Sequence, residues 1–335
     1  MQRKRLFYTT AAALLSAFTL SVAVYAEGSA EAEKETAPVT VTALKGPTAM
    51  GMVKLMDDSD QGISEGTYEF SILSAVDEVT PLIAQGKTDI AAVPANLASV
   101  LYNNTDGAIE VLAINTLGVL YIMEDGDSIA SVEDLRGKTI YASGKGATPE
   151  YALNYILREN GIDPASDVTI EWKSEHAECL AALTEAEGGI AMLPQPFVTT
   201  AQTKMDHLRV ALDLTQEWEK TQEGEEAPSQ LITGVVVAKT SFIEEYPEKV
   251  DAFLTEYAES VAYVNENTEE AAALVGGYDI VPEAVAQKAI PECSITYIDG
   301  ADMKTALSGY LAVLEEQNPQ SVGGTLPDDA FYYSR

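Results

Sequence analysis

The stretches "VTALKGPTAMGMVKLM" (Val41–Met56) and "YASGKGATPEYALNYI" (Tyr141–Ile156) decide the fold when they are set side by side. Lys45-Gly46-Pro47-Thr48 in the first matches Lys145-Gly146-Ala147-Thr148 in the second, 100 positions later. The same offset sets "DIAAVPANLA" (Asp89–Ala98) beside "GIAMLPQPFV" (Gly189–Val198), with Pro94 opposite Pro194. It also sets "EFSIL" (Glu69–Leu73) opposite "TIEWK" (Thr169–Lys173), and Glu78 opposite Glu178. Shared lysine, glycine and proline positions at one constant spacing mark an internal duplication.

Each copy reads as strand, loop, helix, strand, helix, strand. "VTVTAL", "YEFSIL" and "TDIAAV" are the strands of the first copy, and "KTIYAS", "VTIEWK" and "GIAML" those of the second. Strands alternating with helices predict βαβ units and a parallel sheet covered on both faces. A helix is expected over Pro149–Asn160, with Thr148 as N-cap, Pro149 in its first turn, Glu150 favoured by the dipole and Gly161 as its stop. "AMGMVKLMD" is expected to form one helix. From Leu231 onward a strand and several helical segments have no counterpart in the repeat. The simple arrangement is two similar α/β lobes, with this tail returning to the first. The segments around "LGVLYIMED" and "SQLITGVVV" then cross between them.

The chain has 335 residues, enough for two domains, and 46% of them are hydrophobic, enough for a sizeable core. It opens with Arg3, Lys4 and Arg5, an apolar run, and Val24-Tyr25-Ala26, the pattern of a cleaved export signal. An uncleaved anchor is the alternative. No cysteine stands near the cut to carry a lipid. Residues 27–38 are small, polar and acidic and read as a solvated leader. The formal net charge is −33, which opposes nucleic acid and anionic lipid as partners. Cys179 and Cys293 are the only cysteines. Export permits a bond between them, but two buried thiols are the preferred reading.

The glycine-bearing loop at Gly144–Thr148 is not a nucleotide cradle. A phosphate loop needs G-x-x-x-x-G-K-[ST] between strand and helix. Gly137-Lys138-Thr139 has Val132 in place of the first glycine, and Gly86-Lys87-Thr88 has Pro81 there. The dinucleotide pattern G-x-G-x-x-G fails at Pro149. What remains is a helix N-terminus with a threonine and a lysine, suited to an anionic or strongly polar acceptor, or else an ordinary βα loop. The duplication supplies two such loops. The Pro94 and Pro194 loops and Asn115-Thr116-Leu117 fall at the same carboxyl ends of strands, where ligands of open α/β sheets bind.

Other clusters read as structure. Glu175, His176 and Cys179 suit a polar helix start better than a metal site, since no second ligand cluster exists. "DDSDQGISEG" (Asp57–Gly66) fails the calcium-loop register and is expected to be a solvated acidic loop. Gln216–Gln230 is expected to be an acidic surface loop, and Trp172 and Trp218 to be core or rim. No G-x-S-x-G and no nucleophile–base–acid set stands out, so no catalytic residue, metal or cofactor is expected.

The segments "LIAQGKTDIAAVPANLASVLYN", "SVEDLRGKTIYASGKGATPEYALNYILRENGIDPASDVTIEW", "GIAMLPQPFV" and "SVGGTLPDDAFYY", in this order, closely resemble the solute-binding proteins of ABC importers. The nearest group is the nitrate/sulfonate/taurine/bicarbonate and thiamine-precursor-like one. The resemblance implies an α/β, two-lobed type II periplasmic-binding-protein fold, each lobe a mostly parallel sheet flanked by helices, with the ligand cleft between lobes. It implies a monomer that captures a small-molecule solute and delivers it to an ABC permease driven by its ATPase, on the periplasmic or extracellular face of the membrane. Signal 1–26, leader 27–38, lobe I of 39–120 and 236–335, and lobe II of 121–235 are the expected divisions. By the same resemblance the solute touches Gly46, Pro47, Thr48, Ser74, Pro94, Ala95, Asn96, Asn115 and Thr116 from the first lobe. From the second it touches Ser143, Lys145, Gly146, Ala147, Thr148, Pro194 and Gln195. Amides at Gly146–Thr148, with Lys145, are expected to take a polar or anionic end. Two alternatives are an enzyme of the thiamine-pyrimidine-forming kind, whose cysteine-rich motif this chain lacks, and a surface sensory module.

Overall fold

A computed structural model describes residues 37–205, 207–225 and 228–335. The expected signal, and the leader up to residue 36, lie outside the described residues. Val39–Arg335 form one compact unit. Its strands are β1 (Val39–Leu44), β2 (Tyr68–Leu73), β3 (Ile90–Pro94), β4 (Ile109–Leu117), β5 (Leu120–Glu124), β6 (Thr139–Ser143), β7 (Thr169–Lys173), β8 (Ile190–Pro194), β9 (Arg209–Asp213), β10 (Ile232–Lys239) and β11 (Ile295–Ile298). Its helices are α1 (Pro47–Met50), α2 (Val53–Gln61), α3 (Val76–Ala84), α4 (Ala95–Asn104), α5 (Thr148–Glu159), α6 (His176–Glu185), α7 (Phe197–Lys204), α8 (Leu214–Thr221), α9 (Thr240–Glu245), α10 (Pro247–Glu266), α11 (Thr268–Gly277), α12 (Glu283–Ala289) and α13 (Gly300–Gln317).

Two sheets result, in the orders β11-β4-β10-β3-β1-β2 and β7-β6-β8-β5-β9. In the first, β1 pairs in parallel with β2 and β3, while β10 runs against both β3 and β4. In the second, β6 pairs in parallel with β7 and β8, while β5 runs against β8 and β9. Each sheet therefore takes an opposed strand that the chain supplies as it crosses over, and β11 adds a second to the first sheet, antiparallel to β4 at its edge. The chain leaves the first sheet after β4, enters the second at β5, and returns at β10. Pairing places Leu120 opposite Pro194 and Ile232 opposite Leu117. The chain thus passes from the first sheet to the second between Leu117 and Leu120, and back between Asp213 and Ile232.

The duplication is visible in side chains as well as strands. Glu78 Oε2 accepts the N–H groups of Ser74 (3.2 Å) and Ala75 (3.0 Å) at the start of α3. Glu178 Oε2 accepts the N–H of Ser174 (2.9 Å) at the start of α6. In both copies a carboxylate on the first turn reaches back to amides that the helix cannot satisfy itself.

The strands are apolar on both faces because both faces are covered. Ile90 and Ala92 of β3 turn into one core with Val236 and Ala238 of β10, and Ala91 and Val93 turn into another with Val235 and Val237. That second core also holds Ile140, Ala142 and Ile156 from the other half, together with Leu307 and Tyr310 of α13. Helix α13 lies against β4, α4 and α5, so the tail packs on elements of both sheets.

Three local expectations change. Asp57–Gln61 complete α2 instead of forming an acidic loop: Val53, Leu55 and Met56 bury one side, Lys54 pairs with Asp58, and Gly62 ends the helix at φ 68°. "AMGMVKLMD" divides at Gly51-Met52 into α1 and α2. Gln216–Thr221 are helical because Trp218 is fully buried and anchors α8.

Cys179 and Cys293 are free and buried. Burial raises both thiols above their usual pKa, which lowers the thiolate fraction at neutral pH. A thiol reagent is expected to find no fast-reacting group in the native protein and two after unfolding. A count of zero in unfolded, unreduced protein would establish a disulfide.

Candidate functional site

The carboxyl ends of β1, β3 and β4 bring several predicted residues together. Lys45 N–H donates to Leu73 O (2.8 Å), joining the β1 and β2 ends. Thr48 Oγ1 donates to Leu44 O (2.8 Å), fixing the turn into α1. Gly234 of β10 pairs with Pro94 on one side and Thr116 on the other. A methyl group placed on Gly234 would lie 2.5 Å from Asn115 Oδ1, 3.0 Å from Thr48 Cγ2 and 3.2 Å from Thr116 Cβ. Thr48, Pro94, Asn115 and Thr116 therefore converge on a backbone with no room for a side chain. Gly234 lies outside the repeat and was not among the predicted site residues. Asn115 Oδ1 accepts from Thr116 Oγ1 (3.1 Å), while Asn115 Nδ2 and the Tyr257 hydroxyl are buried and, among the described residues, make no hydrogen bond of ordinary geometry. Gly46 and Ala95 are buried and Pro47 is half-buried beside them; Ser74 is exposed at the end of β2.

At the second sheet, Ser143 is buried at the end of β6, and its Oγ lies 2.5 Å from Nδ1 of His176, the first residue of α6. The His176 ring packs on Phe197, with centroids 5.1 Å apart. Among the described residues His176 Nε2 has no hydrogen-bond partner. Burial pulls the imidazole down from 6.5 to about 4, so it is neutral at physiological pH. The helix start expected at His176 is there, but its side chain belongs to the end of β6. Composition gave no signal for that contact. Only the pairing Ser143↔Lys173 of adjacent strands brings these two loops together.

Pro194 and Gln195 are buried. Gln195 N–H donates to Val119 O (3.1 Å), and its Oε1 accepts from the N–H and hydroxyl of Thr199 (3.2 and 2.9 Å). The Gly144–Thr148 loop is largely occupied by its own structure. Gly146 N–H, expected to meet an anionic end, donates to Glu150 Oε2 (2.6 Å). Thr148 is not the N-cap: Ala147 is, and Thr148 is fully buried with its Oγ1 3.3 Å from Asn96 Oδ1. A threonine one position further in points along the helix flank instead of at its free amides. Lys145 is exposed.

The donors gathered here are uncharged. Among the described residues the arginines lie elsewhere: Arg136 with Asp167, Arg158 with Gln317, Arg209 with Glu124, and Arg335 near Asp299. Lys173 pairs with Glu171 (3.0 Å) over the Tyr141 ring. Tyr121 of β5 is pushed up to about 12 by burial, reinforced by Asp213, Glu292 and Cys293, and stays a neutral phenol. No grouping of His, Cys, Asp or Glu among the described residues has the arrangement to hold a metal ion.

A family model described as "ABC transporter, phosphonate, periplasmic substrate-binding protein" matches residues 64–282. Among solved structures the chain is similar to an ABC transporter protein of Parabacteroides distasonis, at 22% identity and TM-score 0.73, covering 89% of this chain and 99% of that one. It is similar to the periplasmic aliphatic sulphonate-binding protein SsuA of Escherichia coli, at 15% identity and TM-score 0.69, covering 89% and 92%. It is also similar to the alkanesulfonate-binding protein SsuA of Xanthomonas axonopodis pv. citri bound to MOPS, at 14% identity and TM-score 0.67, covering 87% and 95%. Among curated proteins none matches. At these identities the structural likenesses speak for the fold, the periplasmic-binding-protein arrangement of two helix-flanked sheets. The sulfonate group expected from the sequence appears among these fold neighbours, whereas the family model carries the phosphonate description. The matched region is more than half of the sequence, and the chain belongs to the family of periplasmic substrate-binding proteins of phosphonate ABC transporters.

Proposed function

We propose that the chain holds a small solute with a phosphonate or sulfonate head between the carboxyl ends of its two sheets, and releases it unaltered to a permease and its ATPase. The lobes are taken as 39–119 with 232–335, and 120–231. The first contributes Thr48, Pro94, Asn115 and Thr116 around Gly234; the second contributes Ser143, His176 and Phe197. The single observation that carries this reading is the placing of uncharged donors at matching strand ends of a duplicated fold, with the His176 ring oriented by Ser143 and backed by Phe197. If the Ser143 hydroxyl donates to Nδ1, Nε2–H remains to donate to an oxyanion. A solute touching both lobes only when they are together shifts them toward closure. The protein works as an exported monomer, its signal removed after Ala26. No helix among the described residues is long and apolar enough to cross a membrane.

The test is a thermal-shift panel of alkylphosphonates, alkanesulfonates, nitrate, amino acids, pyrimidines and polyamines. A solute at 100 times its dissociation constant is expected to stabilise by about 2.7 kcal/mol, and His176→Ala to remove that shift. For an alkanesulfonate, which does not titrate in this range, the shift is expected to be flat between pH 5 and 8, because the imidazole protonates only near pH 4. A shift from a polyamine or pyrimidine with none from any phosphonate or sulfonate would overturn the proposed class.

A further inference from the structure

Helix α4 carries Asn96, Ser99 and Asn103 at spacings of three and four, one stripe along one face. All three bond to the backbone carbonyls of the C-terminal segment. Asn96 Nδ2 donates to Ser321 O (3.0 Å), Ser99 Oγ to Val322 O (2.7 Å), and Asn103 Nδ2 to Val322 O (2.8 Å) and Thr325 O (2.7 Å). Further along, the Tyr102 hydroxyl donates to Asp328 Oδ1 (2.5 Å), and its ring meets Phe331 at 5.1 Å. The tail is strapped to α4 along its length.

Asn96, at the end of the stripe nearest the strand termini, does more. Its Nδ2 also donates to Gly146 O (3.4 Å), and its Oδ1 accepts from Thr148 Oγ1 (3.3 Å). Asn96, Thr148 and Ser321 are all fully buried. A buried amide must place its donors and acceptor on partners, and this one places them on three groups of two chain segments. Both of its N–H donors are spent within the protein, so none is left for an oxyanion, and the Thr148 hydroxyl proton is spent as well. We infer that Asn96 is a positioning residue: it ties the Gly144–Thr148 loop of the second sheet and the Ser321–Thr325 segment to α4, and so fixes the second half's share of the site from the first. Glu150 completes the arrangement by holding Gly146 N–H from the loop's own helix. The contacts to Gly146 and Thr148 are the longest in the set, so they give way first. The site being positioned is the one proposed above, but the clamp itself is read from hydrogen bonds within the protein.

Hydrogen exchange of the solute-free protein tests it, so a failed solute panel leaves the result standing on its own. Asn96→Ala is expected to speed amide exchange about tenfold in both 144–148 and 321–325, with a peptide over β8 unchanged. Thr148→Val is expected to speed only 144–148, and Thr148→Ser, which keeps the hydroxyl, to restore the parent rate. Unchanged exchange at 144–148 in Asn96→Ala would overturn the inference. Should that variant not fold, equal rates in Thr148→Val and Thr148→Ser would overturn it instead.

Discussion

Trp218→Ala is expected to destabilise the protein by about 3–5 kcal/mol, the range for emptying a fully buried aromatic site. The residue has no exposed surface. Its ring lies 4.5 Å from Tyr155 of α5 and 5.5 Å from Tyr310 of α13, and its Nε1 donates to Ser229 O (3.2 Å). Gln222 extends the cluster by donating to the Tyr155 hydroxyl (2.6 Å) and accepting from Ser229 N–H (2.9 Å). The cavity would open where the tail meets the second half, among aromatic rings too large to collapse inward. Trp218→Phe keeps most of the volume but loses the bond to Ser229, and is expected to cost less. Urea unfolding followed by near-ultraviolet circular dichroism measures both. An alanine variant within 1 kcal/mol of the parent would show that this packing is not what holds the tail.

Arg209→Ala is expected to cost about 3 kcal/mol at pH 7, the low end for breaking a buried ion pair, since the arginine itself is about one-third exposed. Glu124 is only 2% exposed. It accepts from Ser128 N–H (2.8 Å), Ser128 Oγ (2.6 Å) and Ile129 N–H (3.2 Å), and pairs with the Arg209 guanidinium. Burial alone would raise this carboxyl, but the hydrogen bonds from Ser128, Ile129 and Arg209 outweigh it and hold the group below its usual range. A folded-state pKa below the unfolded one stabilises at neutral pH, and that contribution is lost as pH falls through the folded value. Without Arg209 the carboxylate is buried and less compensated, so its pKa rises and it protonates earlier on acidification. The gap between parent and variant is therefore expected to narrow from pH 7 to pH 4. Urea midpoints at the two pH values measure this, and a gap that widens would show that Glu124 does not depend on Arg209.

The duplication made most of the architecture readable, because lysine, glycine and proline punctuate the same strand ends in both copies. It could not show β5 and β10 turning against their neighbours. Both are built round apolar runs, Leu120–Met123 and Val235–Ala238, and an apolar run does not record its direction. The acidic stretches after Met56 and Leu214 hid helices for another reason: one apolar side chain per turn is enough to hold a short helix when it is wholly buried, as with Trp218. At the candidate site, the strand-end positions were legible because strand, loop and helix follow one another in the sequence. The sequence sets Asn96 and Thr148 just beyond strand ends, but their bonding to one another depends on a packing angle between α4 and α5 that no local pattern encodes. His176 was passed over because a lone histidine carries no spacing signal, and its partner Ser143 lies 33 residues away.

The two crossing strands, β5 and β10, also set an order of assembly. Every strand of the second sheet lies within residues 120–213, one uninterrupted piece of chain. The first sheet waits for β10 and β11, which end at Ile298. A nascent chain that has reached β9 thus carries every strand of the second sheet, while β3 and β4, already made, still have bare edges facing the gap that β10 will fill. The portion synthesised first is the last to close. During that interval its open edges are the surface most exposed to mispairing with another polypeptide.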